Sequence, residues 1–148
     1  MLKKYISVDE YLMGRAKLED LDDTLVGNIN SLVPKINQLL EVFGEYRKVS
    51  SGIRTVADHK RIYEEKNLAR KSKGLNEIPV PMGSKHLSCE AIDLADPDGS
   101  LKQWLKTEVG IETMTQLDLY QEHPDYTPSW VHLQCVPPKS GSRVFKPY

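Results

Sequence analysis

Residues 84–93 read Ser-Lys-His-Leu-Ser-Cys-Glu-Ala-Ile-Asp, so a histidine, a cysteine and two acidic residues lie within ten positions of one another. His86 leaves a loop rich in glycine and proline, and Asp93 follows inside the apolar run Ala-Ile-Asp-Leu-Ala. Because a lone buried carboxylate is costly, Asp93 needs a partner, which a metal ion or a histidine would supply. The stretch therefore predicts a buried polar site on a strand.

A second histidine lies in a similar setting further along the chain. Residues 129–134, Ser-Trp-Val-His-Leu-Gln, have the pattern of a strand and contain His132. Two histidines and one carboxylate are a common ligand set of catalytic zinc, with the fourth position left to water. On the residues alone, a buried Asp93 bonded to one histidine, with the other histidine unrelated, is the alternative to a metal site.

The N-terminal part of the chain follows helical patterns. Ser7 caps a predicted short helix at 8–13. Apolar residues then recur in steps of four and three, as on one face of a helix: Leu25, Ile29, Leu32, Ile36, Leu39 and Phe43. Pro34 predicts a kink in this helix, or a junction of two helices near residues 30 and 31. Gly44 is the predicted stop.

The remainder mixes helices with short strands. We expect helices at 56–71 and at 100–110, a loop at 73–83, and strands at 46–50, 91–94, 113–120 and 130–136. Helices come first and strands follow, which predicts one α+β domain. Its parts are a helical region (1–45), a core (46–136) and a surface tail (137–148).

Composition narrows the class of protein. The 148 residues carry 20 basic and 21 acidic side chains, and a net charge of −1 argues against a nucleic-acid-binding chain. No apolar run approaches the roughly 20 residues of a membrane span. The first residues lack the apolar stretch of a secretion signal, so we expect synthesis in the cytoplasm. We also expect the protein to be a monomer. Two cysteines are too few for a four-cysteine zinc site or a disulfide scaffold.

The stretch around His86 resembles a signature of the zinc D-alanyl-D-alanine carboxypeptidase and L-alanyl-D-glutamate endopeptidase family. That signature is Ser-x-His-x-x-Gly-x-Ala-x-Asp. Ser84, His86, Ala91 and Asp93 match it, while Cys89 stands in place of the glycine. Phage endolysins belong to this family, and the hedgehog signalling domain shares its fold.

Two further segments resemble motifs of the same family, in the same order. Residues 49–55, Val-Ser-Ser-Gly-Ile-Arg-Thr, are similar to its Ser-Gly-Tyr-Arg-Ser element, with Ile53 in place of the tyrosine. Residues 130–132, Trp-Val-His, are similar to its second metal motif. The resemblance implies a hedgehog-like fold, in which a small antiparallel sheet carries the site and helices pack around it. It also implies a Zn²⁺ site with three ligands, which are His86, Asp93 and His132.

The resemblance also implies a function. It points to a zinc metallopeptidase that hydrolyses the stem peptides of bacterial peptidoglycan, as an L-alanyl-D-glutamate endopeptidase or, second, a D-Ala-D-Ala carboxypeptidase. A phage endolysin of this type is made in the host cytoplasm and acts on the cell wall after release. Arg54 would pair with a substrate carboxylate or carbonyl oxygen, against the alternative of a surface ion pair. Ser84 would bind substrate or only hold its loop.

The general base departs from the family pattern. Ser129 lies three residues before His132, where many members carry Glu or Asp, and serine cannot take a proton near neutral pH. Residues 116–122 resemble a strand of phage-type relatives that carries a glutamate. The candidates for the base are therefore, in order, Glu122, Asp118, and then His123 or Asp125. Ser129 also motivates an alternative function, a catalytically impaired zinc domain that binds wall peptide or a protein partner. A virion structural protein without metal is a third possibility.

Three other side chains invite a role at the site. His59 lies on a charged helix, and we expect it to be exposed. Strand alternation places Cys135 on the face opposite His132, as a buried thiol. Cys89 lies four residues before Asp93, a spacing that puts both on the same face of a strand, and it is a minor candidate for a fourth ligand. A disulfide between the two cysteines is the remaining alternative, although such bonds are uncommon in the cytosol.

Overall fold

The computed structural model describes residues 5–147. Within them, helices and strands follow one another along the chain in this order: α1 (Val8–Leu12), α2 (Asp23–Phe43), β1 (Val49–Ser51), α3 (Val56–Ser72), β2 (Ala91–Ala95), α4 (Ser100–Leu105), α5 (Glu108–Leu117), β3 (Tyr120–Glu122), β4 (Trp130–Gln134) and β5 (Val144–Phe145). Short 3₁₀ turns lie at Leu18–Asp20 and Pro124–Tyr126. The described part of the chain is thus a small α+β domain.

The strands form one mixed sheet in the order β1-β2-β4-β3-β5. Neighbours among β1, β2, β4 and β3 run antiparallel, as predicted, whereas β5 runs parallel to β3. The prediction of a purely antiparallel sheet was therefore wrong at one edge. The tail turns back beyond Pro138 and lays residues 144–145 along β3, which covers an edge that would otherwise expose unpaired backbone groups.

One face of the sheet packs on the hydrophobic core. Antiparallel register pairs Ile92 with Leu133 and Leu94 with Val131, and all four side chains are buried. α1, α2, α4 and α5 supply the other side of this core. Because side chains alternate along a strand, Asp93 and His132 project from the opposite face. Arg54 links this face to α3, since it contacts Asp93 on the sheet and His59 on the helix.

The N-terminal helices form largely as predicted. Ser7 caps α1 in a capping box with Glu10. α2 is one continuous helix rather than two, and it contains Pro34. Proline inside a helix costs about 3 kcal/mol or more. That cost is offset here because an apolar stripe is buried on both sides of the proline: Ile29, Leu32, Val33, Ile36, Leu39 and Leu40. Gly44 ends the helix with φ 96°, as predicted.

The region 100–120 differs from its prediction. The expected single helix at 100–110 is two short helices, α4 and α5, and the expected strand at 113–120 is mostly helix. Gly110 does not end a helix but lies in α5, where an added Cβ would stand 2.2 Å from the carbonyl oxygen of Trp104. The glycine is needed for close packing of the two helices, a requirement that a local pattern does not reveal.

The other predicted elements are confirmed with small shifts of their ends. α3, β2 and β4 lie where helix and strand patterns were seen, β1 begins three residues later than predicted, and 73–83 is a loop apart from the first turn after α3. Among residues 5–147, no helix has both the length and the apolar character required to cross a membrane.

Candidate metal centre

Strand pairing aligns one side chain from each of the five strands in a row across the sheet face opposite the core. Asp93 pairs with His132, and the register that pairs Gln121 with Leu133 sets Glu122 opposite His132. From β1 to β5 the row consists of Ser51, Asp93, His132, Glu122 and Phe145. The sheet itself therefore brings two predicted ligands and the first candidate base side by side.

His86 joins this row from the turn that precedes β2. Its Nε2 lies 3.4 Å from Oδ1 of Asp93, and Nδ1 of His132 lies 2.9 Å from the same oxygen. The ligand atoms of the three residues lie within 4.8 Å of one another, and two of the residues are buried while His132 is half-buried. In the described part of the chain this is the group of side chains that could hold a metal ion.

A backbone carbonyl orients the first ring. Nδ1 of His86 lies 2.8 Å from the carbonyl oxygen of Gly52. A carbonyl only accepts hydrogen bonds, so Nδ1 carries the proton and donates it, and Nε2 faces Asp93 with its lone pair. Burial also lowers the pKa of His86, which favours the neutral ring that binds metals. A second partner that fixes the tautomer is typical of metal-binding histidines.

A side-chain amide orients the second ring in the opposite sense. The amide nitrogen of Gln134 donates to the carbonyl of Val136 over 2.8 Å, so its Oε1 faces His132. Nε2 of His132 lies 2.9 Å from that oxygen and donates to it, which leaves Nδ1 for Asp93. His86 and His132 thus present different ring nitrogens to one point.

The charges within the group are strongly coupled. Burial would raise the pKa of Asp93, but His86 and His132 outweigh it and hold the pKa well below its usual range. Burial likewise opposes a charge on His132, yet the hydrogen bond that its protonated Nδ1 donates to Asp93 raises its pKa, and a bound metal ion would take the place of that proton. Asp93 is therefore a carboxylate at neutral pH, as a cation site requires.

Arg54 lies on the other side of Asp93, just before α3. Its Nη2 is 3.7 Å from Oδ2 of Asp93, and its side chain is 11 % exposed. Nε donates to Oγ of Ser51 over 3.3 Å, and the backbone N–H donates to the carbonyl of His86 over 3.3 Å. Arg54 is thus part of the site and not a surface ion pair.

Glu122 is half-buried beside the ligand group. Burial raises its pKa, the negative charge of Asp93 adds to this, and His132 opposes it. Lys66 on α3 lies close enough for its charge to act on both Asp93 and Glu122. The arrangement sets a titratable carboxyl group next to the residues that could hold a metal ion, with the positive charge of Lys66 nearby.

The other candidates for the general base, and Ser129, interact with their own surroundings and not with the ligand group. Asp118 is exposed at the C-terminal end of α5 and pairs with Arg143 over 3.2 Å. His123 accepts a hydrogen bond from the backbone of Asp125, which is exposed, at the start of a 3₁₀ turn. Ser129 is exposed and lies one residue before β4. Among all the candidates for the base, strand register therefore favours Glu122 as the neighbour of the ligand group.

Ser84 and the two cysteines lie outside the ligand group, and their contacts are those of residues that support the fold. Oγ of Ser84 accepts a hydrogen bond from the backbone N–H of His86 over 3.4 Å, which fits the role of holding the loop. Cys89 is fully buried next to Tyr11. Cys135, which was predicted to be buried, is only half-buried because it lies just beyond the end of β4, and both cysteines are free thiols. Cys89 has φ 60°, a left-handed conformation that favours glycine. The ligand group does not include Cys89.

His59 contradicts its prediction, because its side chain is fully buried rather than exposed. The first turns of α3 bring its ring against Arg54 and against the loop at Pro81, and these contacts exclude water. Four contributors to the site were also missed: Gly52, Lys66, Gln134 and Phe145. The position of Gln134, two residues after His132 on the same strand face, was a usable signal, whereas the others depend on tertiary contacts.

Comparison of the chain with models of protein families, with characterised proteins and with solved structures found no match in any of the three.

Proposed function

We propose that the protein is a zinc metallopeptidase with a hedgehog-like fold, a phage endolysin that hydrolyses the stem peptides of bacterial peptidoglycan. The bond between L-alanine and D-glutamate is the first candidate, and the D-Ala-D-Ala bond is the second. The observation that carries the proposal is the convergence of Nε2 of His86, the Asp93 carboxylate and Nδ1 of His132 beside Glu122.

The donor set and its spacing suit zinc. Tetrahedral zinc takes nitrogen and oxygen ligands at about 2.0–2.2 Å, so two ligand atoms on one ion lie roughly 3–3.5 Å apart. Asp93 Oδ1 lies 3.4 Å from His86 Nε2 and 2.9 Å from His132 Nδ1, close to that spacing. Three protein ligands leave a fourth position open, which is the pattern of catalytic rather than structural zinc sites.

Each part of the hydrolysis has a group to serve it. Zinc bound to these ligands would polarise the scissile carbonyl and lower the pKa of a coordinated water to about 7. Glu122 would take the proton from the attacking water onto its carboxylate and give it to the leaving amine. Its place opposite His132 in the sheet supports this role.

Arg54 supports a substrate that carries a carboxylate. Its planar guanidinium suits a bidentate contact with a carboxylate better than lysine would. Stem peptides carry free carboxylates, and Lys66 adds a second positive charge nearby. The chain as a whole has a net charge of −1, so attraction to an anionic wall has to come from such local groups.

Zinc dependence provides the direct test. We expect the purified protein to bind one zinc ion, to lyse permeabilised Gram-negative cells, to lose lysis with a chelator and to regain it with added zinc. His132→Ala should abolish both zinc binding and lysis, whereas His123→Ala, a histidine outside the ligand group, should preserve both. Undiminished lysis by His132→Ala would disprove the mechanism.

Product analysis separates the enzyme from a zinc domain that only binds wall peptide. Mass spectrometry of purified peptidoglycan after long incubation should show cleaved stems, and the new termini identify the bond. Intact stems in the presence of bound zinc would favour the binding domain, and a protein that binds no zinc would favour a structural role.

A further inference from the structure

His59 is the one buried residue of the 17 that form α3. Its side chain is fully buried although it is polar, and the other residues of the helix are exposed or half-buried and mostly polar. A buried polar side chain is costly unless both of its hydrogen-bonding atoms have partners. The partners of His59 therefore indicate what it does.

Each ring nitrogen of His59 faces a different group. Nε2 lies 2.9 Å from the carbonyl oxygen of Pro81, which only accepts, so Nε2 carries the proton. Nδ1 then presents a lone pair, and it lies 3.5 Å from Nη1 of Arg54, which only donates. Burial and the charge of Arg54 lower the pKa of His59, in agreement with a neutral ring.

We infer that His59 is a positioning residue that holds the guanidinium of Arg54 in the orientation needed to bind the carboxylate of the substrate; this inference rests on the function proposed above. Three contacts hold the guanidinium at separate nitrogens: Nη2 at Asp93, Nε at Ser51 and Nη1 at His59. The first two partners lie on the sheet, so His59 ties the guanidinium to α3. Tyr63 packs on its ring, with centroids 4.9 Å apart.

Anchoring of the loop at Pro81 is the competing explanation for a buried His59. That loop has a second anchor, because Asn67 forms two hydrogen bonds with the backbone of Ile78, of 2.8 and 2.9 Å. Asn67 also lies on α3, but the side-chain partners of Arg54 described above are Ser51, His59 and Asp93. A variant of Asn67 therefore loosens the loop without removing a partner of Arg54, and it serves as the matched control.

The first experiment measures kcat and KM of the zinc-loaded enzyme on a purified stem peptide. We expect His59→Leu to raise KM by about 10-fold to 100-fold with a small change in kcat, because a hydrogen bond to a charged group orients Arg54 in both the bound and the transition state. His59→Gln should restore most of the affinity, since its amide offers one acceptor and one donor. Asn67→Ala should leave KM within about twofold of the wild-type value.

A double-variant cycle shows whether His59 acts through Arg54. In an Arg54→Lys background, His59→Leu should raise KM no further, because the group that it positions is already gone. An additive effect would overturn the inference, and so would an equal rise in KM for Asn67→Ala and His59→Leu. Thermal unfolding of each variant checks that it is folded.

A measurement without substrate keeps this inference separate from the proposed function. In ¹⁵N NMR spectra of the zinc-loaded protein, the guanidinium signals of Arg54, assigned with Arg54→Lys, report how strongly its rotation is restrained. We expect restraint in the wild type and in His59→Gln, and its loss in His59→Leu. Equal restraint in His59→Leu would overturn the inference even in an active enzyme. Loss of restraint in a protein that cleaves no stem peptide would support the contact while the proposed function failed.

Discussion

The carbonyl oxygen of Gly52 accepts a hydrogen bond of 2.8 Å from Nδ1 of His86, and this contact turns the opposite ring nitrogen toward Asp93. Gly52 can reach this place because it lacks a side chain. A Cβ there would stand 2.0 Å from the carbonyl oxygen of Tyr11, to which the next residue, Ile53, donates its backbone N–H over 3.0 Å. The packing of α1 against the end of β1 thus orients one of the predicted ligands.

Substitution of Gly52 should damage stability and the metal site together. We expect Gly52→Ala to lower the free energy of unfolding of the metal-free protein by about 2–3 kcal/mol, because the new Cβ overlaps backbone atoms. Zinc affinity should fall as well. Gly27→Ala is the control, since Gly27 lies in α2 with open space around it and should gain up to about 1 kcal/mol. Urea unfolding measures both, and equal stabilities would contradict the account of Gly52.

Gln134 should contribute to metal affinity without touching the metal. We expect Gln134→Leu to weaken zinc binding by about 10-fold to 100-fold, because His132 loses the acceptor that fixes its tautomer. The same change at the exposed Gln116 should have no effect on affinity. Competition with a chromophoric chelator measures both variants. Equal affinities would show that the amide does not orient the ring.

Glu122 should be needed for hydrolysis but not for metal binding. We expect Glu122→Gln to reduce kcat by about 10²–10⁴-fold, the usual contribution of a general base, while zinc still binds. Glu112→Gln removes a carboxylate on the exposed side of α5 and should leave kcat unchanged. Stopped assays on a stem peptide, with metal content measured on the same samples, check the prediction. Full activity of Glu122→Gln would move the base to another group.

Alkaline pH should destabilise the protein through Cys89. Burial raises the pKa of this thiol to about 11, against 9.0 for an unperturbed cysteine. Between these values the folded state holds a proton that the unfolded state has lost, so the stabilisation is complete below pH 9 and falls as pH rises toward 11. We expect a loss of about 1 kcal/mol by pH 10, measured by urea unfolding.

Cys89→Ala tests the assignment of that loss. The variant should be less sensitive to the change from pH 7 to pH 10, whereas Cys135→Ala, at the half-buried thiol, should keep most of the loss. The loss due to Tyr46 and to Tyr11, whose pKa values burial also raises, begins near pH 10, the ordinary pKa of tyrosine. Identical pH dependence in the wild type and in Cys89→Ala would assign the loss to other groups.

Local patterns in the sequence determined most of the helices and strands and the position of the site. The capping box at Ser7, the apolar stripe of α2 and the strands around Asp93 and His132 all follow from residues close together in the chain. A charged residue in an apolar strand also required a partner, and the structure places His86 and His132 next to it. These are properties that neighbouring residues express without tertiary contacts.

Tertiary structure alone decided how the site is assembled. The tautomers of His86 and His132 depend on Gly52 and Gln134, the neighbour of His132 depends on the register of β3, and the burial of His59 depends on the loop at Pro81. Residues far apart in sequence come together at the site because the sheet packs on the core. Their hydrogen bonds and charge interactions become strong only when packing excludes water. The sequence therefore determined which side chains could bind a metal, and only the folded chain decided their orientation and their partners.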